Sequence, residues 1–383
     1  MDPAGRARQS VNPDPHLPLS LRMRRLAVLL ALALTACTAV VLESATTEAE
    51  APPGATDSEA TSTSAVADDT TTTTTSVTTT TTIPPEQLSI EAYPVPAGSR
   101  PHDVAPAADG GIWYTAQATG ELGWLDPETG ETRHIPLAER ARPHGVIVDD
   151  EGTPWITDGG LNNFYSVHPD TGQVTIYPMP DDTPGARLNT GTFDAEGNLW
   201  FTGQGGVYGM LDVVSGETAL YRAPEGPGPY GITTTPDGTV YYVSLAGSYL
   251  ARVNDDGTVE VIEPPTADQG ARRVWADSTG ALWVSEWNTG NLSRYQPEMG
   301  EWDTWPLPGD SPAAYAVYVD ENDIVWVSDF GSNSLVRFDP ASQTFHTYTL
   351  PHLPGEVRQL HGRPGEVWGA ESAADHLVVI RTR

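Results

Sequence analysis

The sequence is poor in basic residues and in cysteine, and it has no comfortable membrane span. Against 51 Asp and Glu stand only 20 Lys and Arg, a formal net charge of −31 at pH 7. A chain so acidic repels phosphate backbones and anionic headgroups, which argues against nucleic acid or a lipid surface as partner. The single cysteine, Cys37, has no second thiol for an intrachain disulfide. The apolar stretch at 26–34 is shorter than the roughly 20 residues that cross a bilayer as a helix. Gly (37), Pro (34) and Trp (11) are plentiful instead, and they punctuate short β-branched segments. The length of 383 residues allows one large domain or two ordinary ones.

The N-terminus reads as an address. Arg22, Arg24 and Arg25 precede the apolar stretch, and Leu34-Thr35-Ala36-Cys37 resembles a bacterial lipobox, in which the cysteine becomes a lipidated N-terminus. Residues 1–37 are therefore expected to be an extension plus lipoprotein signal peptide, with Met23 a candidate true start. The alternative is an uncleaved anchor running on through Val40, Val41 and Leu42. Both place the remainder outside the cytoplasm, with the lipid anchor at Cys37 as the only membrane contact. Residues 38–86 are low in complexity and rich in Thr, a composition that builds no core and reads as a disordered stalk open to O-glycosylation. Extended, it reaches on the order of 160 Å.

The rest, 87–383, is one unit repeated. Its clearest copy spans 142–177, RPHGVIVDDEGTPWITDGGLNNFYSVHPDTGQVTIY, which predicts four short strands joined by three turns. An aromatic recurs in the second strand of every copy: Trp113, Trp155, Trp200, Tyr241, Trp283, Trp326 and Trp368, at steps of 41 to 45 residues. That period, with four strands in each, predicts an all-β, seven-bladed β-propeller. The ends agree. The last copy stops after its third strand, HLVVIRTR, while a spare fourth-type strand, SIEAYPVP at 89–96, precedes the first. Pairing the two closes the ring, with 89–96 antiparallel to 376–383, and removes exposed edges.

Such a ring brings two sets of residues to one channel mouth. The starts of the first strands are His102, His144, Asn189, Tyr230, Arg272, Tyr315 and Arg358; the ends of the second strands are Ala116, Asp158, Gly203, Ser244, Glu286, Asp329 and Glu371. They are expected to form a ring of mixed charge. Each member has a plain structural reading, as an ion pair or a hydrated polar group. Arg272 and Arg358 beside Glu286, Asp329 and Glu371 look most like a charge network. His102 and His144 differ, because both follow Arg-Pro at the start of adjacent blades, and an imidazole is the usual general base near neutral pH. No role is assigned to His134, His168, His346, His352, His361 or His376.

The phrase RPHGV followed by GTPWITD, with PYGI at 229–232, LWFTG and LWVSEW, resembles the streptogramin B (virginiamycin B) lyases across 89–383. Members of that family open a cyclic depsipeptide at its ester by elimination, using Mg²⁺ and a His base. The resemblance implies His144 and His102 as catalytic residues. It implies substrate contacts from Arg142, Asn189, Tyr230, Arg272, Tyr315 and Arg358, and Mg²⁺ near Asp158 and Glu286. Arg142 stands where the family has a Glu, and Asn189 where it has a Tyr; Arg142 is expected to lower the pKa of His144 and oppose Mg²⁺ unless Asp158 pairs with it. The other class of function is a monomeric, non-catalytic propeller holding a small-molecule, glycan, peptide or protein ligand at the cell surface. A metal-dependent lactonase is a third, weaker option.

Overall fold

The computed structural model describes residues 83–383 apart from 182 and 184. Cys37, the signal region and all but the last few residues of the Thr-rich stretch lie outside the described residues. Among the described residues no helix is long and apolar enough to cross a membrane.

Twenty-eight strands form seven four-stranded antiparallel sheets, six of them built from consecutive strands. The seventh is composite: the spare strand β1 (Ile90–Pro94) pairs with the C-terminal β28 (His376–Arg381). Their register runs from Ile90 opposite Ile380 to Pro94 opposite His376. The closure continues upstream, where the Ile83 amide donates to the Thr382 carbonyl at 3.0 Å and the Tyr348 hydroxyl to the Pro85 carbonyl at 2.9 Å.

The sequence period has a physical cause. An Asp sits six residues before the marker Trp in four blades and accepts its indole N–H: Asp149 from Trp155 (2.8 Å), Asp194 from Trp200, Asp277 from Trp283 and Asp320 from Trp326 (2.9 Å each). The same carboxylates accept backbone amides of the turn, so each Asp fixes a turn and a large core ring together. In blade one the position is Ala107, and the Trp113 indole nitrogen is left without a partner. Cores lie between neighbouring blades: Trp283, for example, packs with Val317, Val327 and Phe338 of the next sheet. Truncating one such Trp costs about 3–5 kcal/mol.

A second device aims residues into the channel. Each inner strand carries a register shift just inside its start, as between Pro143 and Gly145. A hydroxyl two residues after the marker Trp secures that irregularity. Thr157 accepts the Gly145 amide at 3.0 Å and donates to the Asn189 carbonyl of the next blade. Thr115 does the same for Asp103 and His144, and Ser285 for Arg273 and Tyr315. The start of one inner strand is thus held by the second strand of the blade before it.

Candidate functional site

Six of the seven strand-start residues meet one another, Asn189 being the exception, and they fill the mouth rather than line it. His102 is 5 % exposed, His144 8 %, Tyr230 4 %, Tyr315 1 % and Asn189 fully buried. The rings form a file. His102 and His144 lie with centroids 4.0 Å apart, Tyr230 meets His144 edge-on at 6.4 Å, and the Tyr230 and Tyr315 hydroxyls hydrogen-bond at 2.6 Å. Arg272 lies over this file, its guanidinium carbon 3.6 Å from the Tyr315 centroid, 4.5 Å from Trp287 and 4.9 Å from Tyr230. Phe330 stacks on Tyr315 at 4.7 Å, and Arg358 covers both from about 5.6–5.7 Å while pairing with Glu356. Trp287 and Phe330 were not among the expected contacts. Each directly follows the last residue of a second strand, which is the signal that finds them.

A second polar tier lies one residue further along the inner strands and was also missed: Asp103, Thr190, Arg273 and Gln359. They alternate around the ring with Gly145, Gly231 and Ala316. Neighbouring strands pass so close that a Cβ on Gly231 would fall 2.7 Å from the Arg273 Cα. Arg273 spans the lumen. It donates to Asp103 Oδ1 at 3.2 Å and to Thr190 Oγ1, while His102 Nδ1 reaches the same Asp103 oxygen at 2.7 Å. Asp103 and Arg273 are 2 % and 4 % exposed.

Burial and these cations set the protonation states. Desolvation, and then Arg273, Arg358, Arg272 and Arg100, hold His102 well below the ordinary histidine value. His144 is lowered by burial and by His102, with Arg273 and Arg358 adding to it, against the pull of Asp103. Both imidazoles are neutral at pH 7. Burial raises Asp103 despite Arg273. Burial also pushes Tyr315 up, but Arg272, Arg273, the bond with Tyr230 and Arg358 outweigh it and leave the phenol below its usual value.

The mixed-charge ring is corrected at its acidic half. Asp158 accepts the amides of Arg142 (2.9 Å), Gly160 (2.7 Å) and Leu161 (3.2 Å) and the Tyr165 hydroxyl (2.9 Å). Glu286 is bonded by Thr289, Asn291 and Ser293, Asp329 by Ala313, Gly331 and Ser332, and Glu371 by His352. These carboxylates staple loops within their own blades, because a short acidic side chain at a strand end meets the free amides of the following turn. Ala116, Gly203 and Ser244 offer no charge at the remaining strand ends. Arg142 is corrected as well. Its side chain is exposed and Asp158 holds its backbone amide, so the cations that depress His144 are Arg273 and Arg358.

Among the described residues the one cluster of three possible metal ligands is His102, Asp103 and His144, with ligating atoms within 4.8 Å of one another. It suits Mg²⁺ poorly. Mg²⁺ requires hard oxygen ligands, and the only carboxylate here already serves Arg273 and His102 amid further guanidinium charge. Asp158 and Glu286 are not part of the cluster.

Solved structures show the same architecture. Virginiamycin B lyase from Staphylococcus aureus superposes with a TM-score of 0.72 at 17% identity, covering 77% of this chain and 99% of that one. A streptogramin B lyase superposes at 0.71 with 22% identity, over 77% and 98%. YCF48 bound to D1 peptide superposes at 0.63 with 15% identity, over 77% and 97%. At these identities the likeness establishes the fold. No curated protein matches the sequence. The family profile described as the Virginiamycin B lyase family matches residues 141–383, well over half of the chain, and the chain belongs to that family.

Proposed function

We propose that this propeller is an extracytoplasmic binding protein that holds, at its channel mouth, a small molecule or peptide carrying an anionic group beside a planar one. The observation that carries this reading is Arg272. It is half-buried among the rings of Tyr315, Trp287 and Tyr230, yet no carboxylate pairs with it among the described residues. A guanidinium so placed has lost much of its water and offers a planar donor edge to a carboxylate or phosphate. Arg358 flanks it, and Trp287 and Phe330, both half-buried, supply apolar faces for the planar group. Anchoring through Cys37 and the stalk would present this mouth clear of a membrane as a monomer.

The test uses a short peptide ending in an aromatic residue, with its C-terminus free or amidated. The free acid should bind at least about tenfold tighter, since one charge-assisted contact is worth about 1.5–3 kcal/mol. Arg272→Gln should erase the difference. Equal affinity of the two peptides for the native protein would overturn the reading.

Family membership and the His pair support a second reading, a carbon–oxygen lyase acting on a cyclic ester or depsipeptide. A neutral His144 would take the proton beside the carbonyl, the C–O bond would break to an alkene, and the ester oxygen would leave as a carboxylate. Guanidinium charge is close at hand for the developing enolate. Against it, His144 is only 8 % exposed, with its Nδ1 buried and without a partner. Turnover of a streptogramin B antibiotic that is lost in His144→Ala is the result that would establish this second reading.

A further inference from the structure

Beneath the sealed mouth the channel is open. A cavity of about 350 Å³ begins at the tier of Asp103, Arg273 and Gln359 and runs toward the opposite face, and none of the strand-start residues lines it. Its far walls are the last residues of the inner strands, among them Val148, Phe193, Thr234 and Ala276, all partly exposed. The volume falls within the range of small-ligand sites, and the composition follows the same pattern: mostly apolar walls with a few convergent polar groups.

Those polar groups are predominantly donors. The Gln359 Oε1 accepts the Val104 amide at 2.9 Å, which directs the side-chain NH₂ to the other side, where it makes no hydrogen bond among the described residues. His361 Nδ1 lies 2.8 Å from the Gly362 amide nitrogen and 3.1 Å from the Gly362 carbonyl oxygen, so its ring serves as donor or acceptor according to tautomer. Each terminal nitrogen of Arg273 spends one hydrogen, on Asp103 or on Thr190, and keeps a second. Asp103 is the single carboxylate, and it is already matched by Arg273. Gln359 and Arg273 are 8 % and 4 % exposed, so this donor set is a built feature of the interior rather than a surface accident.

We propose that the lower channel is a second ligand site, separate from the mouth, that takes a small monocarboxylic acid with a flat apolar body. The carboxylate meets Gln359 and Arg273, with His361 beside them, and the body lies along Trp275 and the aliphatic wall. The site is reached from the face opposite the mouth and does not depend on what the mouth binds.

Benzoate, benzyl alcohol and benzamidine differ chiefly in the charge of the head group and serve as probes, with calorimetry on the whole propeller. Benzoate should bind at least tenfold tighter than the other two. Ala276→Trp narrows the lower opening and should reduce benzoate binding at least tenfold. Gln359→Glu keeps the acceptor for Val104 but replaces the donor by a like charge, and should do the same. Benzoate also carries the anionic and planar groups proposed for the mouth, so every titration is run in an Arg272→Gln background, which disables the mouth and leaves the lower channel. The melting temperature of each variant identifies any that fail to fold, and the two channel variants perturb different walls. In that background, benzoate binding no tighter than benzyl alcohol, or undiminished in both channel variants, would overturn the proposal.

Discussion

The two ends of the channel are built from the same seven strands and yet behave oppositely. At one end the strand-start residues are large, aromatic or cationic, and they pack until His102, His144 and Tyr315 are nearly inaccessible. At the other end, three or four residues further along, the same strands diverge around a cavity of about 350 Å³. The difference lies in residue size at successive positions and in the shift that aims each strand start inward. Between the two ends stands the Asp103–Arg273 bridge, which closes the floor of the mouth and the roof of the cavity.

The largest expected effect removes both ends together. Deleting 83–94 strips β1 from the composite blade and leaves β28 as a bare edge. The thermal midpoint should fall on the order of 10 °C or the folded protein should be lost. An unchanged midpoint would mean that ring closure contributes nothing to either end.

Next comes the bridge. Arg273→Met leaves the Asp103 charge buried without its cation, a change that costs about 3–5 kcal/mol. Asp103→Asn combined with Arg273→Met should recover most of that loss, which urea unfolding would register. If the double variant were as unstable as the single one, packing rather than charge would be what the bridge supplies.

These effects show how unevenly the sequence discloses the molecule. Blade number and closure were legible because the period is carried by Trp rings and by the spare strand, both of which act locally. The composition of the mouth's inner file was legible too, since His102, His144, Tyr230, Arg272, Tyr315 and Arg358 do meet. What the sequence concealed is direction. Spacing put Asp158 and Glu286 at strand ends beside the mouth, but their free turn amides and hydroxyls draw the side chains back into their own blades. Asp103 and Arg273 lie 170 residues apart, and only the shift at each strand start turns them toward one another.

The pH response separates the mouth from the rest at smaller amplitude. His102, His144 and His361 all have folded pKa values below the unfolded value of about 6.5. The unfolded chain therefore binds more protons below that value, so the stability they contribute is present above about pH 6.5 and declines as pH falls toward their folded values. Asp103, raised in the fold, works in the other sense, and its contribution is lost as pH rises above its folded value. Stability should drop by at most about 1 kcal/mol per histidine over the first pH unit below 6.5. In His102→Gln/His144→Gln the decline should be shallower, as thermal midpoints at pH 7.5 and 5.5 would show. An equal slope in that variant would place the acid sensitivity elsewhere.

The smallest effect on stability belongs to Arg272. Arg272→Gln removes contacts with three rings, worth about 0.5–2 kcal/mol, and should abolish the preference for an anionic ligand proposed for the mouth. Destabilisation as large as that of Arg273→Met, with the ligand preference kept, would reverse the roles assigned to the two arginines.

The sealed mouth, with its guanidinium charge and its one poorly suited ligand cluster, is set against divalent-ion catalysis. Native protein and Arg142→Glu should therefore each be incubated with a streptogramin B antibiotic and Mg²⁺, with and without EDTA, and the linearised product measured. Native protein is expected to yield no EDTA-sensitive product above the His144→Ala background. Robust turnover by the native chain, lost both on adding EDTA and in His144→Ala, would contradict it.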